Sequence, residues 1–316
     1  MVESVLAIIG GGRWGQVILS VLANMNVPFD RIVIVSKANT KEVSDKIAAI
    51  NVVSNIPFEN LLTISDLLTK YRIKAAIVVN SATQHFETAL YLIRQGVHVL
   101  IEKPIVSSVK QMQILIDEAI KYNVVLVPGL NYLFCSYIKN FALLANNKSI
   151  PKKFYFRWID VLNEERYGQV KKHDLTISVV EDVMPHVWSI LYSIFRQPRI
   201  KIQTCMQDNL SATLALLINQ MKGEIILQRN GTKRERCITL EYDHELLTLD
   251  FAVEPGTIFN AHQTFSGDLN WDNNPSPLTY QFEYFFSTII KEKKSTKRDL
   301  ELCLDTVSFT EHCRFC

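Results

Sequence analysis

The sequence predicts an α/β chain in two parts, a doubly wound parallel sheet followed by an α+β half. Three observations predict it. Short apolar runs alternate with helical patterns over the first ~130 residues, and those runs are apolar on both phases. Beyond residue 150 they give way to runs that alternate apolar and polar. The length, 316 residues, suits two domains at roughly 100–200 residues each. Val5–Ile9 is the first run, continuous as in a strand covered on both faces. It ends in glycines, after which Val17, Ile18, Val21 and Leu22 recur at helical spacing. Arg31–Val35 is a second strand, and residues 75–79 a third, followed by a helix carrying Ala89, Leu90, Leu92 and Ile93. Residues 97–101 and 124–127 repeat the theme, and right-handed crossovers would join them into one parallel sheet.

In the second half, residues 153–160 read as a strand and 180–195 as a helix. Strands follow at 199–206, 211–218 and 222–229. Ile238, Leu240 and Tyr242 then share one face of a strand, and Leu247, Leu249 and Phe251 one face of another. Such a meander predicts a mostly antiparallel open sheet with one covered face. From Tyr280 to Phe315 the pattern is helical, with a charged break at 291–298. The expected division is residues 1–125 and 126–316, the closing helix packing back toward the first domain.

Composition excludes several classes. Thirty-four Lys+Arg against 32 Asp+Glu give a net charge of +2, no footprint for nucleic acid or an anionic membrane. No apolar run approaches the ~18 residues a bilayer span needs, and no basic leader precedes the first strand. Six scattered cysteines suit a reducing compartment, so a cytoplasmic location is expected. The closing Cys313 and Cys316 lack the second ligand pair of a structural zinc site, and no metal is expected.

Gly10-Gly11-Gly12-Arg13-Trp14-Gly15 satisfies G-x-G-x-x-G directly after a strand and at the start of a helix. In that context Gly10 permits a tight turn, Gly12 lets backbone approach a pyrophosphate, and Gly15 lets helix pack on strand. The first half is thus read as a Rossmann dinucleotide-binding domain. Arg13 and Trp14 belong to the same loop, Arg13 as a candidate for the adenine or the phosphate. At the end of the second strand, where an NAD site usually places a carboxylate, stand Ser36 and Lys37. A hydroxyl and a cation suit a 2′-phosphate, so NADP(H) is favoured over NAD(H), which stays as the alternative. Lys103 lies just beyond a strand's carboxyl end, where open α/β sheets bind ligands, and Pro104 follows it. Asp182 and His186, four residues apart, share one face of a helix and can combine proton transfer with a nearby carboxylate.

Three segments carry a resemblance: Asn80-Ser81-Ala82-Thr83-Gln84-His85, Gly96-Val97-His98-Val99-Leu100-Ile101-Glu102-Lys103-Pro104, and Glu181-Asp182-Val183-Met184-Pro185-His186. With the glycine loop, the chain resembles the Gfo/Idh/MocA family, the glucose–fructose oxidoreductase and inositol dehydrogenase relatives, over nearly its whole length. The resemblance implies catalytic roles for Lys103, which would hydrogen-bond the reacting oxygen, and His186, the general acid/base, with Asp182 in support. It also implies that Asn80, His85, Glu102 and Lys103 bind the cofactor, His85 near its nicotinamide end, and that Asn131 or Tyr132 lines the substrate cleft between the domains, a packing role for Tyr132 being the alternative. His98 reads instead as structural. Ser81-Ala82 replace the family's Thr-Pro, and His173-Asp174-Leu175-Thr176-Ile177-Ser178 stand where relatives often carry glycines, which points to a reshaped substrate loop.

The expected activity is hydride transfer between NADP(H) and a C=O/CH–OH carbon of a small substrate. Reduction of a C=N or conjugated bond is one alternative, and a non-catalytic nucleotide-sensing regulator another. The resemblance further implies self-association, a dimer or tetramer through the second-domain sheet.

Overall fold

The computed structural model describes residues 3–162, 165–166, 169–170, 176–196 and 198–315. It divides into two units, Met1–Leu130 with Leu278–Ser308, and Asn131–Pro277 with Phe309–Cys316.

The first unit runs β1 (Val5–Ile9), α1 (Arg13–Ala23), β2 (Arg31–Val35), α2 (Thr40–Val53), β3 (Phe58–Leu61), α3 (Ile64–Lys70), β4 (Ile73–Val78), α4 (His85–Arg94), β5 (His98–Glu102), α5 (Val109–Lys121) and β6 (Leu126–Gly129). The strands form one parallel sheet in the order β3-β2-β1-β4-β5-β6. Because alternate side chains point to opposite faces, the sheet builds two cores. Leu6, Ile8, Ile32 and Ile34 pack with Ile18 and Leu22 of α1 and Val43 and Ile47 of α2. On the other phase, Ala7, Val33, Val78 and Val99 pack with Leu92 of α4 and Leu115 of α5. The strand order reverses direction between β1 and β4, the place where open α/β sheets bind ligands beyond the strands' carboxyl ends. β3 went unread because Phe-Glu-Asn-Leu, at the sheet edge, carries only two apolar residues. His98 accepts the Val125 N–H on Nδ1 at 2.9 Å, and burial, aided by Lys74, pushes its pKa down to about 4.

The second unit holds α6 (Ser136–Asn146), β7 (Lys153–Val161), the short β8 (Glu165–Arg166) and β9 (Gln169–Val170), and α7 (Val179–Phe195). A run of strands follows: β10 (Ile200–Gln207), β11 (Ser211–Ile218), β12 (Met221–Gly231), β13 (Glu235–Glu241), β14 (Leu246–Asp250), β15 (Thr257–Phe259) and β16 (Thr264–Ser266). The eight-stranded sheet has the order β10-β11-β12-β7-β13-β14-β15-β16, antiparallel except where β12 meets β7. One face, with Phe154, Phe156, Leu227, Ile238 and Leu249, packs under Val183, Val187 and Leu191 of α7 and Phe141 of α6. The closing helical stretch is two helices, α8 (Pro277–Lys291) and α9 (Lys297–Phe315). Thr296 caps α9 by accepting the Asp299 N–H at 3.1 Å. No helix among the described residues is long and apolar enough to cross a membrane.

Candidate active site

In the first unit the glycine loop is shaped by close approach. Gly10 sits at φ +128°, and a Cβ there would lie 2.6 Å from the Asn80 nitrogen and 2.7 Å from the Val79 oxygen. A Cβ on Gly15 would lie 2.0 Å from the Gly10 carbonyl oxygen. Gly12 is different, with nothing within 4 Å of its would-be Cβ. It is the N-cap of α1 but no side chain caps the helix, and the first turn carries no acid. The opening amides therefore remain available to an anion that comes over Gly12, as a dinucleotide pyrophosphate would. Arg13 and Trp14, the next two residues, are exposed.

At the end of β2 the structure separates the two residues assigned to the 2′-phosphate. Ser36 is buried beneath Gly11, whose added Cβ would fall 2.0 Å from Ser36 Oγ, and its hydroxyl donates to the Ala38 carbonyl. That hydroxyl proton is spent inside the loop, so the group presented to solvent there is Lys37. The motif's second glycine thus has a task of its own, which the spacing rule does not assign.

Beyond β4 and β5 the residues Asn80, His85, Glu102 and Lys103, assigned to the cofactor, come together. Asn80 donates from Nδ2 to Thr88 Oγ1 at 2.9 Å. His85, 1% exposed, sets Nδ1 2.7 Å from the Pro104 oxygen and Nε2 3.1 Å from the Asn80 oxygen. Burial pushes its pKa down against those backbone partners. His85 thus ties the loop after β4 to the turn after β5, and its ring is enclosed rather than open to a ligand. Glu102 is buried, which pushes its pKa up, and its carboxyl is approached by the Trp14 indole, the Lys103 N–H at 3.3 Å and Gln281 Nε2 at 3.5 Å. Gly129, its neighbour across the sheet, is required, since a Cβ would stand 2.8 Å from Glu102 Cα. Lys103 is half-buried and joined to Pro104 by a cis peptide.

In the second unit α7 carries Asp182 and His186. Its start is fixed by a capping box, in which Ser178 accepts the Glu181 N–H at 3.2 Å and Glu181 accepts the Ser178 N–H at 2.9 Å. Arg229 of β12, 1% exposed, donates to the carbonyls of Ile177 and Ser178 and reaches Asp182 Oδ2 at 3.0 Å. The negative charge of Asp182 is thus balanced by a buried guanidinium. His186, one turn on, stacks with Trp158 at 5.3 Å between ring centroids and 18° between planes, and meets Tyr132 edge-on at 4.9 Å. Burial pushes the Tyr132 pKa up. Asn131 Oδ1 is buried with no hydrogen-bond partner among the described residues. Of the expected substrate-loop segment, residues 173–178, residues 173–175 lie outside the described residues, while Ile177 and Ser178 anchor Arg229.

Sequence reasoning missed Gln281, Arg229, Trp158 and Arg236. For the two arginines a signal was present. Arg229 continues the buried phase of Ile225 and Leu227, and Arg236 that of Ile238 and Leu240, so a strict period of two puts both inside.

A search of curated proteins finds no match to this sequence. Among solved structures, it is similar to the UDP-N-acetylglucosamine 3-dehydrogenase GnnA from Acidithiobacillus ferrooxidans, with a TM-score of 0.74 and 17% identity over 100% of this chain and 98% of that one. The dehydrogenase MviM from Clostridium difficile gives 0.75 and 16% over 98% of each. The 3-ketoreductase KijD10 from Actinomadura kijaniata, in complex with TDP-benzene and NADP, gives 0.76 and 13% over 99% of this chain and 97% of that one. These share the fold. Residues 5–130 match the GFO_IDH_MocA family model, described as an oxidoreductase family with an NAD-binding Rossmann fold.

Proposed function

We propose that the protein is an NADP(H)-dependent oxidoreductase acting on a C=O/CH–OH carbon of a small substrate in the cytoplasm. The observation that carries this reading is the convergence at the ends of β1, β4 and β5. The glycine loop touches Asn80, its Trp14 reaches Glu102, and His85 ties Asn80 to the turn that bears Lys103. The loop's open amides over Gly12 and the Lys37 ammonium suit the two phosphate positions of NADP(H), and Asn80 and Lys103 suit its nicotinamide end. The cofactor, when bound, gives or takes the hydride. During oxidation His186 accepts the hydroxyl proton and Lys103 stabilises negative charge developing on the substrate oxygen; in reduction both roles reverse. Asp182, held by Arg229, accepts a hydrogen bond from a neighbouring substrate hydroxyl. Neighbours named as a 3-dehydrogenase and a 3-ketoreductase support this bond type. Five free cysteines among the described residues suit a reducing compartment.

Fluorescence titration tests the cofactor. NADPH is expected to bind at least about tenfold more tightly than NADH, one charge-assisted contact at Lys37 being worth roughly 1.5–3 kcal/mol. Lys37→Glu should remove that margin. Tighter binding of NADH by the unaltered protein would refute the preference.

Self-association is part of the same reading. Away from α7 the large sheet leaves Tyr155, Ala215, Leu217, Ile226 and Cys237 half-exposed on neighbouring strands. A second copy would cover that face. Light scattering at micromolar concentration should give a dimeric or tetrameric mass, and a monomeric mass would refute it.

A further inference from the structure

The residues under His186 are arranged in a way that packing alone does not explain. Strand β7 places Phe154, Phe156 and Trp158 along one face, and the three rings lie nearly parallel, with 18° and then 16° between successive planes. Only the third is an indole. Its Nε1–H is buried and has no hydrogen-bond partner among the described residues, a desolvation cost that phenylalanine avoids at 154 and 156. What the indole adds is a larger, more electron-rich face, and that face is in use. Arg236, the residue directly across from Trp158 on β13, sets its Cζ 3.7 Å from the indole centroid. The guanidinium is 1% exposed and locked in place, bonded to Asp160 and donating from Nη1 to the carbonyls of Ile159 and Glu235 at 2.8 and 2.9 Å. The imidazole of His186 stacks on the same indole, and Tyr132 stands edge-on to both rings, at 5.6 Å from Trp158 and 4.9 Å from His186.

We propose that Trp158 is a positioning residue for His186, clamped by Arg236, and that with Tyr132 it forms an aromatic shelf fixing the plane in which the imidazole exchanges its proton. The proposal deepens the reading of His186 as the acid/base and rests on it. A fixed ring matters because proton transfer demands a short, aligned approach.

The shelf can be tested without a substrate. In carbon–proton NMR spectra of protein labelled at histidine, the His186 signals are those lost in His186→Gln. Stacking on an indole should shift its ring protons upfield. Arg236→Met leaves the indole in place but removes its clamp, and the His186 signals should move toward ordinary positions. If that variant does not fold, Arg236→Lys, which keeps the charge but not the planar fork, should move them in the same direction. Unchanged His186 signals in the folded variant would overturn the clamp.

With a substrate that supports NADPH turnover, Trp158→Leu should lower kcat about 10- to 100-fold while KM and NADPH affinity stay within about threefold. Trp158→Phe should recover much of that loss. A kcat unchanged in Trp158→Leu, or equal losses in both variants, would overturn the shelf. Full turnover in His186→Gln would instead refute the acid/base reading, a failure distinct from that of the shelf, whose geometry the spectra report independently.

Discussion

Gly10→Ala is expected to abolish NADPH binding and to destabilise the protein by about 2–4 kcal/mol, the cost of a side chain forced into a left-handed, sterically closed position. Gly10 lies at φ +128°, and the atoms its Cβ would strike, the Asn80 nitrogen at 2.6 Å and the Val79 oxygen at 2.7 Å, are backbone at the end of a central strand. They cannot swing aside as a flexible side chain could. The Gly10 N–H also donates to the Val35 carbonyl at 3.0 Å, so a shift of the loop disturbs the end of β2 as well. Gly12→Ala provides the contrast. Its Cβ would meet nothing within 4 Å and its φ is −65°, so the fold should keep its melting temperature while nucleotide affinity falls. Thermal melts and fluorescence titration of the two variants separate the effects. A Gly10→Ala protein that melts normally and binds NADPH would refute this account of the loop.

Lys103→Ala should lower kcat about 100- to 1000-fold, as removal of a group that stabilises charge on a reacting oxygen does. NADPH affinity should change less than about threefold, because the glycine loop and Lys37 carry most of the nucleotide contacts proposed here. Steady-state kinetics and cofactor titration on the same preparation decide the matter. Near-normal turnover would remove Lys103 from the mechanism, whereas a large loss of NADPH affinity with kcat retained would confine it to cofactor binding.

How legible each element was in the sequence depended on how much of it is apolar. Val5–Ile9 and Arg31–Val35 are central strands covered on both faces, and their composition states as much. Thr257–Phe259 and Thr264–Ser266 went unread because three residues are too few to show a period. The glycine spacing located the loop, but not the close fit of Ser36 against Gly11, which depends on how two loops meet. At His186 the limit was a habit of reading. Arginine is taken as a surface residue, yet Arg229 and Arg236 are each 1% exposed, one holding Asp182 and the other the indole beside His186. His85 shows the reverse: the resemblance implied a ligand contact, and its ring is enclosed between two backbone carbonyls.

The first unit is not continuous in the chain. Leu278, Phe282, Phe285, Phe286 and Ile289 of α8 belong to the same apolar cluster as Leu6, Ile8, Ile32 and Ile34 of the first two strands. On the ribosome these partners emerge far apart. At ~5–20 residues per second, α8 appears on the order of 10 s after the sheet it covers. During that interval a nascent chain ending near Leu130 lacks the part of this cluster that α8 supplies, an apolar gap suited to chaperone capture. The nucleotide-binding half therefore starts before the other half and is completed only after most of that other half has been made.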